Sequence, residues 1–313
     1  FGTLTATAAG TVTLAGPLTA TGAGGAVVLS GSRFVNNAGA GALSASGGRW
    51  LVWSSNANPF GGATPDNRGG LAYGFKQYNA IYGVTPVAQP TGNGFLYSLA
   101  PTIAPGLTGT VSKVYDATTS APLVAANFTP TIGVDGDVVA MSGTGAYDNP
   151  NVAGSPTKLV TATGITAAMT SSVADGSKPV YGYTLTSTTA SANIGAITPA
   201  SLTVTGNTTS NTYTALAQTN GFSTTGLLTG NGDSVTGVSG LATRTNVGTT
   251  ADTLSAATGA GLGNYTISYA NGSLTITPAA LTVTGNATSS GYTAAAQTNG
   301  FSTTGLLTGN GDS

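Results

Sequence analysis

The chain has 313 residues, 48 of them glycine, and it contains no cysteine, histidine or glutamate. Its eight basic and nine acidic residues are scattered along the sequence and give a net charge of −1 at pH 7. This composition excludes thiol enzymes, nucleophile–histidine pairs and histidine metal sites, and it leaves no clustered basic surface for a nucleic acid.

Alternating runs of Val, Ile, Leu and Tyr recur throughout the chain. Alternation is typical of half-buried strands, and abundant glycine disfavours long helices, so we predict an all-β protein. The lack of cysteine fits either a reducing compartment or a secreted protein that stays unfolded during export. The nearly uncharged Thr/Asn/Gly surface favours secretion. No apolar run approaches the length of a membrane span.

Residues 1–54 contain short strand-like runs that begin at positions 3, 11, 17, 26, 33, 42 and 49. The distance from the start of one run to the start of the third run after it is nearly constant, as from 3 to 26 and from 26 to 49. This recurrence predicts a coil with three strands per turn. We therefore expect the last coils of a parallel β-helix, with two inward columns of side chains. The first column is Leu4, Val27 and Trp50, and the second is Val12 and Val35. An antiparallel sandwich with fortuitous spacing is the alternative.

Residues 55–105 are expected to cap the open end of this coil and to connect it to the next domain. The stretch concentrates four aromatic side chains, Tyr73, Phe75, Tyr78 and Tyr82. Large aromatic residues bury a coil end efficiently, so we interpret them as a packed lid. The alternative is a glycan-binding module in which these four side chains contact the ligand.

Residues 106–198 show the pattern of an ordinary β domain, with strand-like runs between turn signals. The motif GVDGDVV places Asp135 and Asp137 on either side of one glycine, so their carboxylates project together if the segment is extended. They are weak candidates for a hard cation such as Ca²⁺, which needs six or more oxygen ligands. No further acidic residue lies nearby, so we favour a glycine turn and expect neither a metal nor a cofactor.

Residues 199–277 and 278–313 are copies of one module. The motif ITPA occurs at 197 and again at 276, and the stretch 276–313 differs from 197–234 at five positions. Recurrence at this fixed spacing, without any insertion, predicts a tandem array. Because the second copy stops part-way through the module, we expect the chain to be a piece of a longer protein.

The first module closes with GNYTISYANGSLTITPA, in which apolar and hydroxyl residues alternate around Asn271-Gly272. Asn-Gly favours a type I′ turn, which predicts a β-hairpin. The predicted pairs are Tyr269 with Leu274 and Ile267 with Ile276. The second strand is expected to run through Thr277-Pro278 into the next module as a stiff joint.

Several motifs also carry a family resemblance. They include SGSRFVNNAGAGALSASGGRWLVWSS, GFKQYNAIYG, GNGFLYSLAP and the closing GNYTISYANGSLTITPA. Together they resemble the end of a β-helix and the repeat domains that follow it in secreted bacterial adhesins of the filamentous-haemagglutinin type. Residues 111–198 resemble a YDG domain opened by KVYDA at 113–117, with Ala117 where the glycine of the name would stand. Residues 199–277 resemble an MBG-type domain, and residues 278–313 resemble the start of another.

The resemblance implies two-partner or similar secretion through an outer-membrane partner of a Gram-negative bacterium, and a cell-surface or extracellular location. It also implies adhesion or biofilm building. We expect a non-enzymatic adhesin or matrix fibre whose tandem modules form a stalk. Expected partners are a host or neighbouring-cell surface, a glycan or other matrix component, and further copies of the chain in a fibre. Two alternatives remain open: glycan binding through residues 73–82, and an ice-binding face built from the outward threonines of TLTAT, TVTL and PLTAT.

Overall fold

The structure is a computed structural model that describes residues 1–313. It contains 31 β-strands, and it confirms the predicted all-β class. The helical parts are four short 3-10 turns, at Ala125–Asn127, Val134–Gly136, Val173–Asp175 and Leu262–Asn264. None of the helical segments has the length and hydropathy that a membrane-spanning helix needs.

The chain forms two compact units, each assembled from three segments. Unit 1 comprises Phe1–Ser112, Ser120–Asp148 and Ser155–Ala196. Unit 2 comprises Lys113–Thr119, Asn149–Gly154 and Ile197–Ser313. Two short segments from the middle of the chain therefore belong to unit 2.

Seven strands occupy the part of the chain up to Ser54. They are β1 (Leu4–Thr7), β2 (Thr11–Leu14), β3 (Leu18–Ala20), β4 (Gly25–Gly31), β5 (Arg33–Asn36), β6 (Leu43–Ala45) and β7 (Arg49–Ser54). Every third strand pairs in parallel, so that β1 pairs with β4, β4 with β7, β2 with β5 and β3 with β6. The spacing of strand starts in the sequence is therefore a structural period, and the antiparallel alternative is wrong for these residues.

The first predicted column is confirmed. Leu4 pairs with Val27, and Val27 pairs with Trp50. Val27 and Trp50 are each 1 % exposed, whereas Leu4 lies on the outermost strand and is half-buried. The burial of each member thus follows the number of strands paired beside it.

The second predicted column is wrong by one residue. Val12 pairs with Phe34, and Val35 lies beside Thr13. The chain is one residue shorter between the paired parts of β4 and β5 than between those of β1 and β2. Phe34 therefore takes the inward position, where it is 2 % exposed.

Strands β8 (Phe75–Gln77) and β9 (Gly94–Tyr97) extend the sheet beyond β7. β9 pairs in parallel with β7, and β8 pairs in parallel with β9. Side chains cover both faces of this part of the sheet. One face carries a core that includes Val27, Leu29, Trp50, Tyr78, Phe95 and Tyr97, and the other carries Leu51, Trp53, Phe75, Ala80 and Leu96. The Trp50 and Phe95 rings pack edge to face, with their centroids 5.1 Å apart.

Ten strands follow between residues 102 and 198. They are β10 (Thr102–Ile103), β11 (Gly106–Leu107), β12 (Val111–Val114), β13 (Ser120–Ala121), β14 (Phe128–Thr129), β15 (Val138–Tyr147), β16 (Ala153–Thr170), β17 (Pro179–Tyr181), β18 (Thr184–Leu185) and β19 (Ala190–Thr198). β17 pairs in parallel with β8, and β16, β15 and β13 continue the same sheet in antiparallel order. β8 therefore lies in the middle of one sheet, with strands on both sides.

Twelve strands form the rest of the chain. They are β20 (Ala200–Gly206), β21 (Thr208–Thr212), β22 (Gln218–Thr219), β23 (Phe222–Thr225), β24 (Gly237–Ser239), β25 (Thr243–Arg244), β26 (Gly248–Ala251), β27 (Ser255–Thr258), β28 (Tyr265–Ala270), β29 (Ser273–Thr277), β30 (Thr282–Gly285) and β31 (Phe301–Thr304). One sheet has the order β23-β20-β28, and a second has the order β21-β29-β26. The segments 200–212 and 265–277 run side by side in parallel, and both pass from the first sheet to the second.

The predicted hairpin around Asn271-Gly272 is wrong. β28 pairs with β20, whereas β29 pairs with β21 and β26, and neither Asn271 nor Gly272 has a positive φ. A Cβ at position 272 would overlap the carbonyl oxygens of Gly206 and Asn207 on the neighbouring segment. The glycine permits close approach of two backbones where the strand changes sheets, a device of sandwich corners.

The incomplete second copy repeats the start of the first. β30 pairs antiparallel with β31, as β20 does with β23. β29 ends at Thr277, and Pro278 lies outside any strand. The predicted continuous strand through Thr277-Pro278 is therefore wrong, in keeping with the missing backbone N–H of proline.

Candidate functional site

Lys76 is fully buried in the interior of unit 1. β8 carries it between the parallel strands β9 and β17. Its Nζ lies 6.0 Å from the ring centroids of both Phe60 and Tyr78. A buried ammonium is strongly destabilising unless anions compensate it, so the groups around Nζ determine what this site can do.

The turn before β15 supplies two carboxylates to Lys76. Asp135 has a left-handed φ of +54° in the 3-10 turn Val134–Gly136, and Asp137 follows that turn. Lys76 Nζ donates to Asp135 Oδ2 at 2.6 Å and forms an ion pair with Asp137 Oδ1. Arg68 donates two hydrogen bonds to Asp135, at 2.8 and 3.0 Å. The two cations and two carboxylates, here called the ion cluster, have no net charge.

The two oxygens of Asp137 have different surroundings. Oδ2 accepts hydrogen bonds from the hydroxyl groups of Tyr78, at 2.9 Å, and Tyr183, at 3.0 Å. Oδ1 is buried, has no hydrogen-bond partner and contacts the Lys76 ammonium. Burial raises the pKa of the Asp137 carboxyl above its ordinary value, although the adjacent Lys76 ammonium opposes this. Burial and the nearby Asp137 charge also raise the pKa of Tyr78 and Tyr183, which are therefore neutral donors.

Asp135 and Asp137, the weak candidates for a metal site, do lie close together, but both carboxylates contact the Lys76 ammonium. No group of three or more acidic side chains that could hold a metal ion occurs in the chain. The positive charge between the two carboxylates is the Lys76 ammonium, with Arg68 on the outer side of Asp135. These residues do not fit a Ca²⁺ shell, since two carboxylates that are already paired leave too few oxygens.

The four aromatic candidates for ligand contact are distributed between the interior and the surface. Phe75 and Tyr78 are 0 % and 1 % exposed, so they offer no surface to a glycan. Tyr73 is half-buried and packs on Phe95, with their ring centroids 5.6 Å apart. Tyr82 is 39 % exposed. Three of the four thus contribute to the packed interior.

Tyr82 lines a surface cavity of about 260 Å³ together with Trp53. The two rings meet edge to face, with their centroids 5.6 Å apart. Ser30, Ser54 and Ser98 also line this cavity. A ligand could reach Tyr82 here, and it could reach Tyr73 at a separate cavity of about 420 Å³ beside Asp175 and Lys178.

The outward threonines do not form a regular array. Their in-register neighbours on the paired strands are Val28 beside Thr5, Ser30 beside Thr7, Arg33 beside Thr11, Val35 beside Thr13 and Ser44 beside Thr19. None of these threonines pairs with another threonine, so these strands lack the regular surface that the ice-binding alternative requires.

The motif KVYDA at 113–117 forms a second cluster, which lies in unit 2. The Tyr115 hydroxyl donates to Asp233 Oδ2 at 2.5 Å, and the Tyr265 hydroxyl donates to the same oxygen at 2.7 Å. Asp116 Oδ1 accepts hydrogen bonds from Lys113 Nζ and from the backbone N–H of Thr118. Burial alone would raise the pKa of Asp116, but these hydrogen bonds hold it below the ordinary value.

The tyrosine–aspartate contact recurs one period later. Asp312 is the copy of Asp233, and it accepts a hydrogen bond from the Tyr213 hydroxyl. Asn231 and its copy Asn310 also each bond to an asparagine, Asn151 and Asn246 respectively. We call each set a Tyr–Asp joint, the first built on Tyr115 and Asp233 and the second on Tyr213 and Asp312.

The backbone at the two joints is also alike. Ala117 and Ala215, each placed second after its tyrosine, have left-handed φ values of +61° and +62°. A Cβ built at Gly230 would lie 3.4 Å from Ala117 Cβ, and one at its copy Gly309 would lie 3.2 Å from Ala215 Cβ. The same turn thus meets the same glycine in both joints.

Residues 100–193 match the family model of the YDG domain. The chain contains a YDG domain. Its opening motif KVYDA lies within the matched range, and Ala117 keeps the left-handed conformation that glycine adopts most easily. No curated protein and no solved structure matches the chain.

The YDG range also contains Asp135 and Asp137 of the ion cluster, and Tyr183, which donates to Asp137, whereas Lys76 and Arg68 precede it. Sequence reasoning paired the two aspartates but missed their cations, because Arg68 and Lys76 lie far from them along the chain. A signal was present in GFKQYNAIYG, where a single lysine interrupts an aromatic run. A charged residue within an apolar pattern indicates a buried partner of opposite charge.

Proposed function

We propose that the protein is a non-enzymatic segment of an extracellular adhesin or biofilm-matrix fibre of the filamentous-haemagglutinin type. Its tandem β modules then act as a stalk or spacer. The YDG domain at residues 100–193 is compatible with a non-enzymatic binding module, which is the most general part of this proposal. The composition adds support, since it lacks the residues of the common catalytic centres.

The recurrence of the Tyr–Asp joint is the observation that carries the spacer role. Tyr115 meets Asp233, and Tyr213 meets Asp312, which occupies the position of Asp233 in the next copy of the module. Each module contributes an aspartate to the contact with the preceding domain and a tyrosine turn to the contact with the following one. Further modules can therefore be added in series through the same interface. Serial addition under one rule is how repeat proteins gain length.

The proposed organisation follows the sequence. Residues 1–54 are the final coils of a parallel β-helix and residues 55–105 its cap and connector. Residues 106–198 are the YDG-type domain, residues 199–277 an MBG-type module and residues 278–313 the start of another. The proposed location is the bacterial cell surface or the surrounding matrix, reached by two-partner secretion. The proposed partners are a host or neighbouring-cell surface, a matrix glycan, and further copies of the chain in a fibre.

Deletion of residues 199–277 tests the spacer role. The deletion places Asp312 at the position of Asp233, so an aspartate remains there for Tyr115. Beads coated with the complete or the shortened protein are incubated with a mammalian cell monolayer, and bound beads are counted. We expect both proteins to bind equally. Loss of binding by a shortened protein that is still folded would make the module the binding site, and no binding by either would contradict the adhesin role.

Glycan binding is the second candidate, favoured by the cavity beside Trp53 and Tyr82. Tyr82 is the exposed member of this pair, and an exposed aromatic ring beside polar groups is a common surface for the apolar face of a sugar. Tyr82→Ala should abolish binding on a glycan array if the cavity is the site, while Tyr292→Ala, at a residue 94 % exposed, should not. Unchanged binding after Tyr82→Ala would reject this candidate.

A further inference from the structure

We propose that Lys76 and Asp137 become joined by an amide bond between Nζ and Cγ, which covalently links β8 to the start of β15. The bond is a modification of the protein by itself and does not depend on the spacer role. Lys76 and Asp137 are both 0 % exposed and contact one another through Nζ and Oδ1. They are distant in sequence, in a chain that has no cysteine for a disulfide.

The free energy of burial favours the amide over the ion pair. Two full charges held away from water are expensive even when paired, whereas a neutral amide needs only hydrogen bonds. Charge balance is kept as well, because the amide removes one cation and one anion. The Arg68–Asp135 pair then remains, with its two hydrogen bonds and no net charge.

The polar groups around Asp137 fit an acyl-transfer reaction. Tyr78 and Tyr183 direct two hydroxyl donors at Oδ2, where negative charge develops when an amine adds to Cγ. Oδ1 has no hydrogen-bond donor of its own and lies on the side of Lys76. Oδ1 is therefore the leaving oxygen. Burial raises the pKa of Asp137, which favours the protonated carboxyl needed as the electrophile.

Asp135 is placed to move the protons. A first proton passes from the Lys76 ammonium to Asp137 Oδ1, which gives a neutral amine and a neutral carboxylic acid. The Nζ lone pair then attacks Cγ, and a second Nζ proton passes to Asp135 Oδ2, 2.6 Å away. The Cγ–Oδ1 bond breaks, and Asp135 returns this proton to the departing oxygen. One C–N bond forms, one C–O bond breaks, one water is released, and nothing is oxidised or reduced.

The released water has somewhere to go. A cavity of about 180 Å³ borders Asp135, Arg68, Phe60 and Tyr97. This volume exceeds the roughly 30 Å³ that one water occupies in the liquid. Asp135 lies between this cavity and Lys76, so it connects the reacting atoms to the exit.

Denaturing mass spectrometry of the complete 313-residue protein tests the proposal without any substitution. We expect the intact mass to lie below the sequence mass by one water molecule. Proteolysis should yield a branched peptide in which Lys76 is linked to Asp137, with no cleavage after Lys76. An intact mass equal to the sequence mass would overturn the proposal.

Two controls make the assignment specific. Cyclisation of Asp135-Gly136 to a succinimide also removes one water, but it joins no second peptide and opens in mild base. Loss of water without the branched peptide would therefore overturn the proposal. Lys113 and Asp116 form a comparable ion pair, with Nζ and Oδ1 2.6 Å apart, but Asp116 is 51 % exposed. We expect this pair to stay unlinked.

Asp135→Asn tests the proton-transfer role while keeping both linked residues. We expect at least a tenfold loss in the fraction of linked chains after a fixed time, in a protein whose circular dichroism is unchanged. Normal linkage in this variant would overturn the role of Asp135. Lys76→Met combined with Asp137→Leu should show no water loss that survives mild base, and a base-stable water-loss species in that variant would overturn the assignment to these two residues.

Discussion

Ala117 holds a left-handed backbone conformation, with a φ of +61°, in the turn that follows Asp116. This conformation costs an L-residue about 1–2 kcal/mol, whereas glycine adopts it freely. The greater freedom of glycine in the unfolded chain offsets part of the gain. We predict that Ala117→Gly raises the free energy of unfolding of unit 2 by about 0.5–1 kcal/mol, measured by urea denaturation.

The matched control is Ala200→Gly, which also lies in unit 2. Ala200 is buried in β20 and has no positive φ, so glycine there removes packing and adds unfolded-state entropy. That variant should lose about 1 kcal/mol. If Ala117→Gly lowered the stability as Ala200→Gly does, the glycine-like character of position 117 would be refuted.

Tyr265 should make unit 2 sensitive to alkaline pH. Burial, followed by the hydrogen bond to Asp233, raises its pKa from 10.0 to about 12. Between these two values the folded state keeps a proton that the unfolded state has lost, so stability falls as the pH rises. The contribution is fully present below pH 10 and disappears as the pH passes about 12.

Tyr265→Phe should flatten the stability profile between pH 10 and about 12, as followed by urea unfolding at a series of pH values. It should also lower the stability at pH 7 by about 1 kcal/mol, because Asp233 loses one of its donors. Tyr292→Phe, at a surface position, should leave the profile as it is. An unchanged alkaline slope in Tyr265→Phe would contradict the assignment.

At the scale of elements, the parallel strands β1, β4 and β7 depend on Trp50. This side chain is 1 % exposed, pairs with Val27 on the neighbouring strand and packs on Phe95. Trp50→Ala should therefore cost about 3–5 kcal/mol through the cavity that it leaves. Leu4→Ala, in the same column but on the outermost strand, should cost clearly less. Thermal unfolding measures the loss of stability in each variant. Equal losses would contradict a column in which Trp50 is more deeply buried than Leu4.

The point where β28 passes into β29 depends on the lack of a side chain at Gly272. A Cβ there would overlap the carbonyl oxygens of Gly206 and Asn207, so the two parallel segments would have to separate. We predict that Gly272→Ala destabilises unit 2 by about 2–3 kcal/mol. Gly263→Ala is the control, since no atom lies within 4 Å of a Cβ at that position. A neutral Gly272→Ala would show that the corner is not tightly packed.

The elements that the sequence predicts best are those set by spacing between copies of a pattern. The starts of the first seven runs predict parallel pairs such as Leu4 with Val27, and these are observed. The position of Val35 could not be predicted, because a corner shorter by one residue turns a side chain to the other face. The Asn271-Gly272 pair misled for another reason: a turn signal does not reveal which neighbouring segment the next strand will join.

At the scale of the whole molecule, the ion cluster depends on topology rather than on local sequence. Asp135 and Asp137 could be recognised as a pair, but their partner Lys76 comes from a strand much earlier in the chain. It reaches them because β8, β17, β16 and β15 are successive neighbours in one sheet. The sequence also did not predict the Tyr–Asp joints. The repeat shows that Asp312 is the copy of Asp233, but their partners Tyr115 and Tyr213 are not separated by the period of the repeat.

The length of a series of tandem modules tests the spacer role most directly. Chains with one, two or three copies of residues 199–277 ahead of residues 278–313 are compared by small-angle X-ray scattering. A segment such as 200–212 spans about 4 nm at the rise of a β-strand, so we predict a nearly equal increase of a few nanometres in maximum dimension for each added copy. Replacing every copy of Asp233 by alanine should abolish the regular increment while each module stays folded. A maximum dimension that does not grow with copy number, or that grows regularly without these aspartates, would contradict a stalk built on the Tyr–Asp joint.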